Sequence, residues 1–278
     1  MSYKTILVHC ENEKSTHQLL EVACRLARST EAHLIGLYPY APVYLPAIMD
    51  EAYGSELIAY QRQRWEKESA EIKQIFESVV ANQPFVSEWR ATETFAQRLS
   101  TIVAEQSRTV DLVVVSQSPE VPTNSASDVP ETVVFESGRS VLVVPNSGPG
   151  VKDFDRILVA WNSTKESARA VFDALPLLKN AKDVRILSIM PEKDEAEVDI
   201  PGAEIASALA RHGVNVDTAE RITAGGPAGE VLVNYVADHK FDLLVMGCYG
   251  HSRLRQFVFG GVTQYVLANM KTPVLLAH

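Results

Sequence analysis

The sequence predicts a tandem α/β protein: two doubly wound domains in one chain, each a five-stranded parallel sheet with helices on both faces. Three observations carry this. The chain has 278 residues, more than one core usually serves. Its first half reappears in its second. Its candidate strands, such as "LVVV" at 112–115 and "LLVM" at 243–246, are apolar without alternation. That pattern belongs to strands buried on both faces and separated by helices, hence to a parallel sheet.

The repeat fixes the elements. "YKTILVHCENEKSTHQLLEVACRLA" from Tyr3 aligns with "FDRILVAWNSTKESARAVFDALPLL" from Phe154, each a short strand, a few polar residues and a helix-period apolar stripe. "TVDLVVVSQS" from Thr109 aligns with "KFDLLVMGCY" from Lys240, and "SVLVVPN" from Ser140 with "TPVLLAH" from Thr272. The offset is 151 between Ile6 and Ile157 but 131 between Asp111 and Asp242, so the first half carries 20 extra residues between these points. They fall in "YAPVYLPAIMDEAYGSELIAYQRQRWEKESAEIKQIF", a proline-bearing loop running into a long charged helix. In the second half, strands are expected near 155–161, 183–190, 215–222, 242–247 and 273–277. Helices are expected near 164–179, 202–212, 227–238 and 261–270, with Ser163 and Glu166 as a capping box for the first.

"PNSGPGVKD" at 145–153 reads as a boundary. It divides the chain into a domain at 1–146, a linker at 147–153 and a domain at 154–278. The six residues "NSGPGV" reach only about 20 Å, so the halves must touch. We expect an internal pseudo-two-fold dimer in which "SVLVVP" and "PVLLAH" are neighbours, because an apolar edge strand left open invites aggregation. This leaves room for a further homodimer.

Composition excludes several classes. The net charge is −9, with 12 basic against 19 acidic residues in 1–145 and 14 against 16 in 146–278. Neither half has a basic block for phosphate backbones, so nucleic acid is not an expected partner. No apolar run of about 18 residues spans a membrane, and "MSYKTILVHCENEK" lacks the features of a signal peptide. Three cysteines without a CxxC pair suit a reducing cytoplasm. The scattered histidines form no metal motif.

Chemistry concentrates in "MGCYGHSRLRQFVFGGVTQ", residues 246–264, which holds four of the chain's 14 glycines. In open parallel sheets ligands bind beyond the carboxyl ends of the strands, where strand order reverses. Three segments of the second half end there: "AWNS" at 160–163, "SIMP" at 188–191 and the start of the glycine loop. That loop leads into a helix whose N-terminus lies at Gly260–Gly261. Unpaired N–H groups and a partial positive charge there suit an anion, and glycines let the backbone approach phosphate. The same glycines also fit ordinary turns. There is no GxxxxGK[ST], and no GxGxxG follows the first strand. Cys248, inside the loop, reads as a buried inert thiol or, with a helix N-terminus stabilising its thiolate, as a redox-sensitive one.

The strand-ending G-x2-G, then nine residues, then G and a small residue resembles the nucleotide signature of universal stress proteins. "ILVAWNSTKESARA" resembles that family's opening "ILVAVDGSEESERA", and with the repeat the likeness covers nearly the whole chain as a two-domain member. The resemblance implies a cytoplasmic stress-response protein with a site for ATP, or AMP or ADP, with magnesium accompanying the nucleotide. Carried over, it places Ala160, Trp161 and Asn162 against ribose and adenine, and Ile189 at the adenine edge. It places Met246, Gly247, Tyr249 and Gly250 on the first part of the phosphate loop. Gly260, Gly261, Val262 and Thr263 fall on the second. Asn162 stands where the family has Asp, Trp161 is bulkier than usual, and Gly261 lacks the usual hydroxyl, for which Thr263 is a substitute. A hydrogen bond to a charged group is worth roughly 1.5–3 kcal/mol, so the site is weakened rather than lost.

The matching loop of the first half, "SQSPEVPTNSASDVPETVVFESG", has no glycine before Gly138, which reads as a domain without nucleotide. No residue supplies an evident base or acidic pair, so no catalytic residue is assigned and at most slow ATP hydrolysis is expected. Two alternatives remain: an interaction scaffold with both sites empty, and an adenylate-handling enzyme, for which the HxGH and SGGxDS motifs are missing. The protein partners stay unnamed.

Overall fold

The computed structural model describes residues 2–40, 51–93, 98–118, 128–148, 153–191, 202–224, 226–248 and 261–278. In the first half the order is β1 (Thr5–His9), α1 (Glu13–Thr30), β2 (His33–Tyr40), α2 (Glu51–Val80), β3 (Ser87–Glu93), α3 (Leu99–Ser107), β4 (Leu112–Ser116), α4 (Val129–Glu136) and β5 (Ser140–Val144). The second half follows with β6 (Arg156–Ala160), α5 (Lys165–Asp173), α6 (Leu175–Leu178), β7 (Asp183–Pro191), α7 (Ala203–Arg211), β8 (Val216–Ala224), α8 (Ala228–Asp238), β9 (Leu243–Gly247), α9 (Gly261–Asn269) and β10 (Val274–Ala277). The extra residues of the first half include α2, 30 residues long, which buries Ile72 and Phe76.

Among the described residues the strands form one ten-stranded sheet in the order β3-β2-β1-β4-β5-β10-β9-β6-β7-β8. Pairing is parallel within each half, and the halves join by antiparallel pairing of β5 with β10, Leu142 opposite Leu275. "SVLVVP" and "PVLLAH" are therefore neighbours, and the two sheets are a single one. Residues alternate between two cores. One lies under α1, α2 and α5–α7, the other under α3, α4, α8 and α9.

The repeated aspartates have a concrete task. Asp111 N–H donates to Thr5 O at 2.9 Å, and Asp111 Oδ2 accepts from Thr5 N–H at 2.9 Å. Asp242 repeats this with Arg156, at 2.8 and 3.0 Å. Each carboxylate ties the start of a half's first strand to its fourth, satisfying backbone groups at the sheet's rim.

Two local expectations are corrected. The single helix near 164–179 breaks into α5 and α6, because Pro176 has no N–H to continue the ladder and Leu177 N–H turns to Ala174 O at 2.9 Å. The freed Asp173 O accepts instead from Tyr3 Oη–H of the first half, at 2.7 Å. The capping box is Thr164 with Ser167, not Ser163 with Glu166. Ser163 sits at φ 58°, a left-handed conformation, whereas Thr164 has the extended backbone of an N-cap.

Candidate functional site

In the second half the strand order reverses between β6 and β9, which puts the switch-point crevice beyond Ala160 and Gly247. Parallel register sets Ala160 beside Met246 on one side and Leu187 on the other. Strand alternation then turns Ala160, Ile189 and Met246 toward the same layer, that of α8 and α9. Three of the expected site residues thus share one apolar wall. Trp161 goes the other way: its ring packs on the core under α1 and α5–α7, and its backbone N–H donates to Leu187 O at 2.9 Å. It does not close the side held by Ala160.

Asn162 is exposed at the carboxyl edge and oriented by the cap of α5. Ser167 N–H donates to Thr164 Oγ1 at 3.3 Å, and the Thr164 hydroxyl donates to Asn162 Oδ1 at 2.9 Å. Its amide N–H groups are left for other partners.

Gly247 has a structural reason of its own. A Cβ there would overlap the backbone carbon of Glu166 and nitrogen of Ser167, and stand 2.8 Å from Glu166 O. The first turn of α5 rests directly on this residue. Glu166, which the sequence suggested only as a cap, is 4% exposed beneath the root of the loop. Burial raises its carboxyl pKa, but hydrogen bonds, from its own N–H and then from Lys165, outweigh this and hold it below the usual range. Its S/T-x-x-E spacing was visible in sequence; its place under Gly247 was not.

Cys248 is pinned. Its N–H and thiol both donate to Ala277 O, at 3.0 and 3.2 Å, and its carbonyl meets His278 Nδ1 at 3.1 Å. Burial, then the Glu166 charge, pushes the thiol well above its ordinary pKa, which is the inert reading and not the redox one.

Beyond the loop, α9 begins with Gly261 and Val262 exposed and Thr263 buried. Among the described residues, nothing lies within 4 Å of where a Gly261 side chain would stand. Thr263 faces the core, so its hydroxyl does not share the open side with Gly261 as the substitution idea required. Helix α8 braces this turn: a Cβ on Gly229 would come within 2.9 Å of Tyr265 Cβ, which explains a glycine of "GGPAGE" by packing. Tyr249, Gly250 and Gly260 lie outside the described residues.

The corresponding positions of the first half are filled differently. His9 stands where Ala160 does, is 3% exposed, and burial pushes its imidazole down to about 4. Cys10 matches Trp161 and is buried, its thiol pushed up to about 12. Ser116 matches Gly247, and its hydroxyl is buried without a hydrogen-bond partner among the described residues.

The family model described as "Universal stress protein family" matches residues 153–278. That half belongs to the universal stress proteins. A curated universal stress protein from Synechocystis is 48% identical over 50 residues, covering 18% of this chain and 17% of the relative's own length. The chain therefore matches only a small part of that relative. A universal stress protein from Archaeoglobus fulgidus aligns in structure with a TM-score of 0.68 at 15% identity, over 98% of this chain and 95% of its own. A functionally unknown protein from Pseudomonas aeruginosa gives 0.61 at 17% identity, over 99% and 92%. The universal stress protein architecture thus extends over both halves as a fold. Among the described residues, no helix is long and apolar enough to cross a membrane, and no group of three or more His, Cys, Asp or Glu could hold a metal ion.

Proposed function

We propose that the second half binds one adenine nucleotide, ATP foremost, in the crevice between β6 and β9, and that the protein acts as a cytoplasmic stress-response regulator through its conformation or partners. The observation that carries this is the convergence of Ala160, Ile189 and Met246 on one wall, on the side of the sheet that α9 covers. Gly261, in the first turn of α9 and clear of the other described residues within 4 Å, fits the phosphate end. Asn162, held by Thr164 at the carboxyl edge, offers amide donors for the ribose. Magnesium would arrive bound to the phosphates.

His9 and Ser116 put larger side chains where the second half has Ala160 and Gly247, which supports leaving the first half without nucleotide. The runner-up, an interaction scaffold with both crevices empty, draws on the missing hydroxyl at Gly261. Denaturing the purified protein and identifying released nucleotide by mass, with calorimetry on the stripped protein, separates the two. One ATP site per chain supports the proposal. No released nucleotide and no binding of ATP, ADP or AMP leaves the scaffold.

A further inference from the structure

Because β5 and β10 are antiparallel, the carboxyl edges of the two halves lie on opposite rims of the sheet. Helix α9 runs against the strands of its half, so it starts at the second half's carboxyl rim and ends at the first half's. At that far end it meets Gln117, the residue after β4. Gln117 Nε2 donates to Leu267 O at 2.6 Å and lies 3.4 Å from Ala268 O. These carbonyls belong to the last turn of α9, where a helix has no donors of its own. Gln117 is itself held. Its N–H donates to Val144 O at 2.8 Å, its Oε1 accepts from Asn146 N–H at 3.0 Å, and its carbonyl accepts from Asn146 Nδ2 at 3.0 Å. A fixed arm of the first half thus caps the helix that begins at the second half's crevice. In the repeat its counterpart is Cys248, whose donor goes to Ala277 O within its own half.

A second contact crosses in the mirrored sense. Helix α4 ends at the second half's carboxyl rim, where the Phe135 ring meets the His278 ring edge-on at 4.7 Å. His278 Nδ1 in turn bonds the carbonyl of Cys248, the residue at the root of the glycine loop. The first half therefore touches both supports of the second half's crevice, the far end of α9 and the start of the loop.

We propose that Gln117 is a positioning residue for the nucleotide site of the other half, setting the axial placement of α9 and hence of the N–H groups at its start, with Phe135 doing the same for the loop root. This rests on the nucleotide-binding reading above. Such a residue acts on the phosphate end of a ligand and not on its base, which gives it a signature that general destabilisation lacks.

The test uses the full chain stripped of nucleotide, with ATP and adenosine as probes. Gln117→Leu keeps the bulk and removes the donor. ATP affinity should fall about three- to tenfold, the factor one hydrogen bond carries, while adenosine affinity stays within about twofold. Gln117→Glu places a negative charge at a helix C-terminus and should weaken ATP further. Phe135→Leu should show the same preference for ATP. Without any nucleotide, amide hydrogen exchange in 261–269 should quicken in Gln117→Leu and stay unchanged in 228–238. Equal losses for ATP and adenosine, unchanged ATP binding, or unchanged exchange in 261–269 would each overturn the proposal. A wild-type protein that binds neither probe overturns the nucleotide reading and this role with it, whereas wild-type binding with an indifferent Gln117→Leu overturns this role alone.

Discussion

Gly247→Ala should destabilise the protein far more than Gly261→Ala, although both glycines belong to one motif. The added methyl at 247 meets backbone: the carbon and oxygen of Glu166 and the nitrogen of Ser167. Backbone cannot rotate aside as a flexible side chain would, so the first turn of α5 must lift. Its other end is fastened to the first half, by Tyr3 on Asp173 O at 2.7 Å, Ser140 on Asp173 Oδ2 at 2.7 Å and Arg169 on Gly138 O at 2.9 Å. Lifting one end strains the other. Overpacking of this kind costs about 2–3 kcal/mol, or about 4–12 °C in Tm for a chain of this size. At Gly261 the methyl meets none of the described residues within 4 Å, and Gly→Ala near a helix start is neutral or stabilising by up to about 1 kcal/mol. Scanning calorimetry on nucleotide-free protein reads both. A Gly247→Ala protein melting within about 1 °C of wild type, or a Gly261→Ala protein losing as much as Gly247→Ala, would refute the assignment of Gly247 to the seat of α5.

Three further outcomes are expected. Gly261→Ser should tighten ATP about three- to tenfold and AMP less, since the hydroxyl adds a donor at the phosphate end; calorimetry showing equal or weaker ATP binding rules that placement out. Tyr3→Phe removes the donor that serves Asp173 O and should cost about 1–2 kcal/mol, seen as a lower urea midpoint; an unchanged midpoint means the break in α5–α6 needs no such partner. His9 is buried neutral, with its pKa pushed from 6.5 down to about 4, so between these values the unfolded chain binds the extra proton. Stability must therefore fall as pH drops from 6.5 to 4, by about 3 kcal/mol from this group, and level off below. His9→Ala should flatten that part of the profile of unfolding free energy against pH, and an equally steep profile contradicts the buried neutral state.

The repeat made most of the fold legible. It located the strands and helices of the second half to within a residue or two, and the 131-residue spacing of Asp111 and Asp242 marked what proves to be a paired clamp on the first strand of each half. The adjacency of β5 and β10 followed from linker length and apolar edges. Local register at the start of α5 was not readable, because Ser163 and Thr164 are both good caps and only the backbone decides between them. Sequence could show that Gly247 lacks a side chain, but not that a helix turn rests there. Gln117 was invisible for a further reason. Its partners Leu267 and Ala268 are about 150 positions away, and no periodicity or motif links residues that meet only across the seam. In the candidate site, Ala160, Ile189 and Met246 converge as the alternation of buried strands requires, while Thr263 turns inward because helical residues two apart face nearly opposite ways.

The antiparallel junction also decides how this protein responds to dilution. Two separate chains paired through such an edge would come apart as concentration falls and could exchange with other copies. Here the seam is intramolecular, so its occupancy does not depend on concentration, and no mixed pairing can dilute the asymmetry between a half with His9 and a half with Ala160. Among the described residues the outermost strands are β3 and β8, and β3 carries Glu88, Arg90 and Glu93. A charged outer strand is a poor template for another strand, so growth of the sheet is discouraged at the β3 end while its centre is permanently joined.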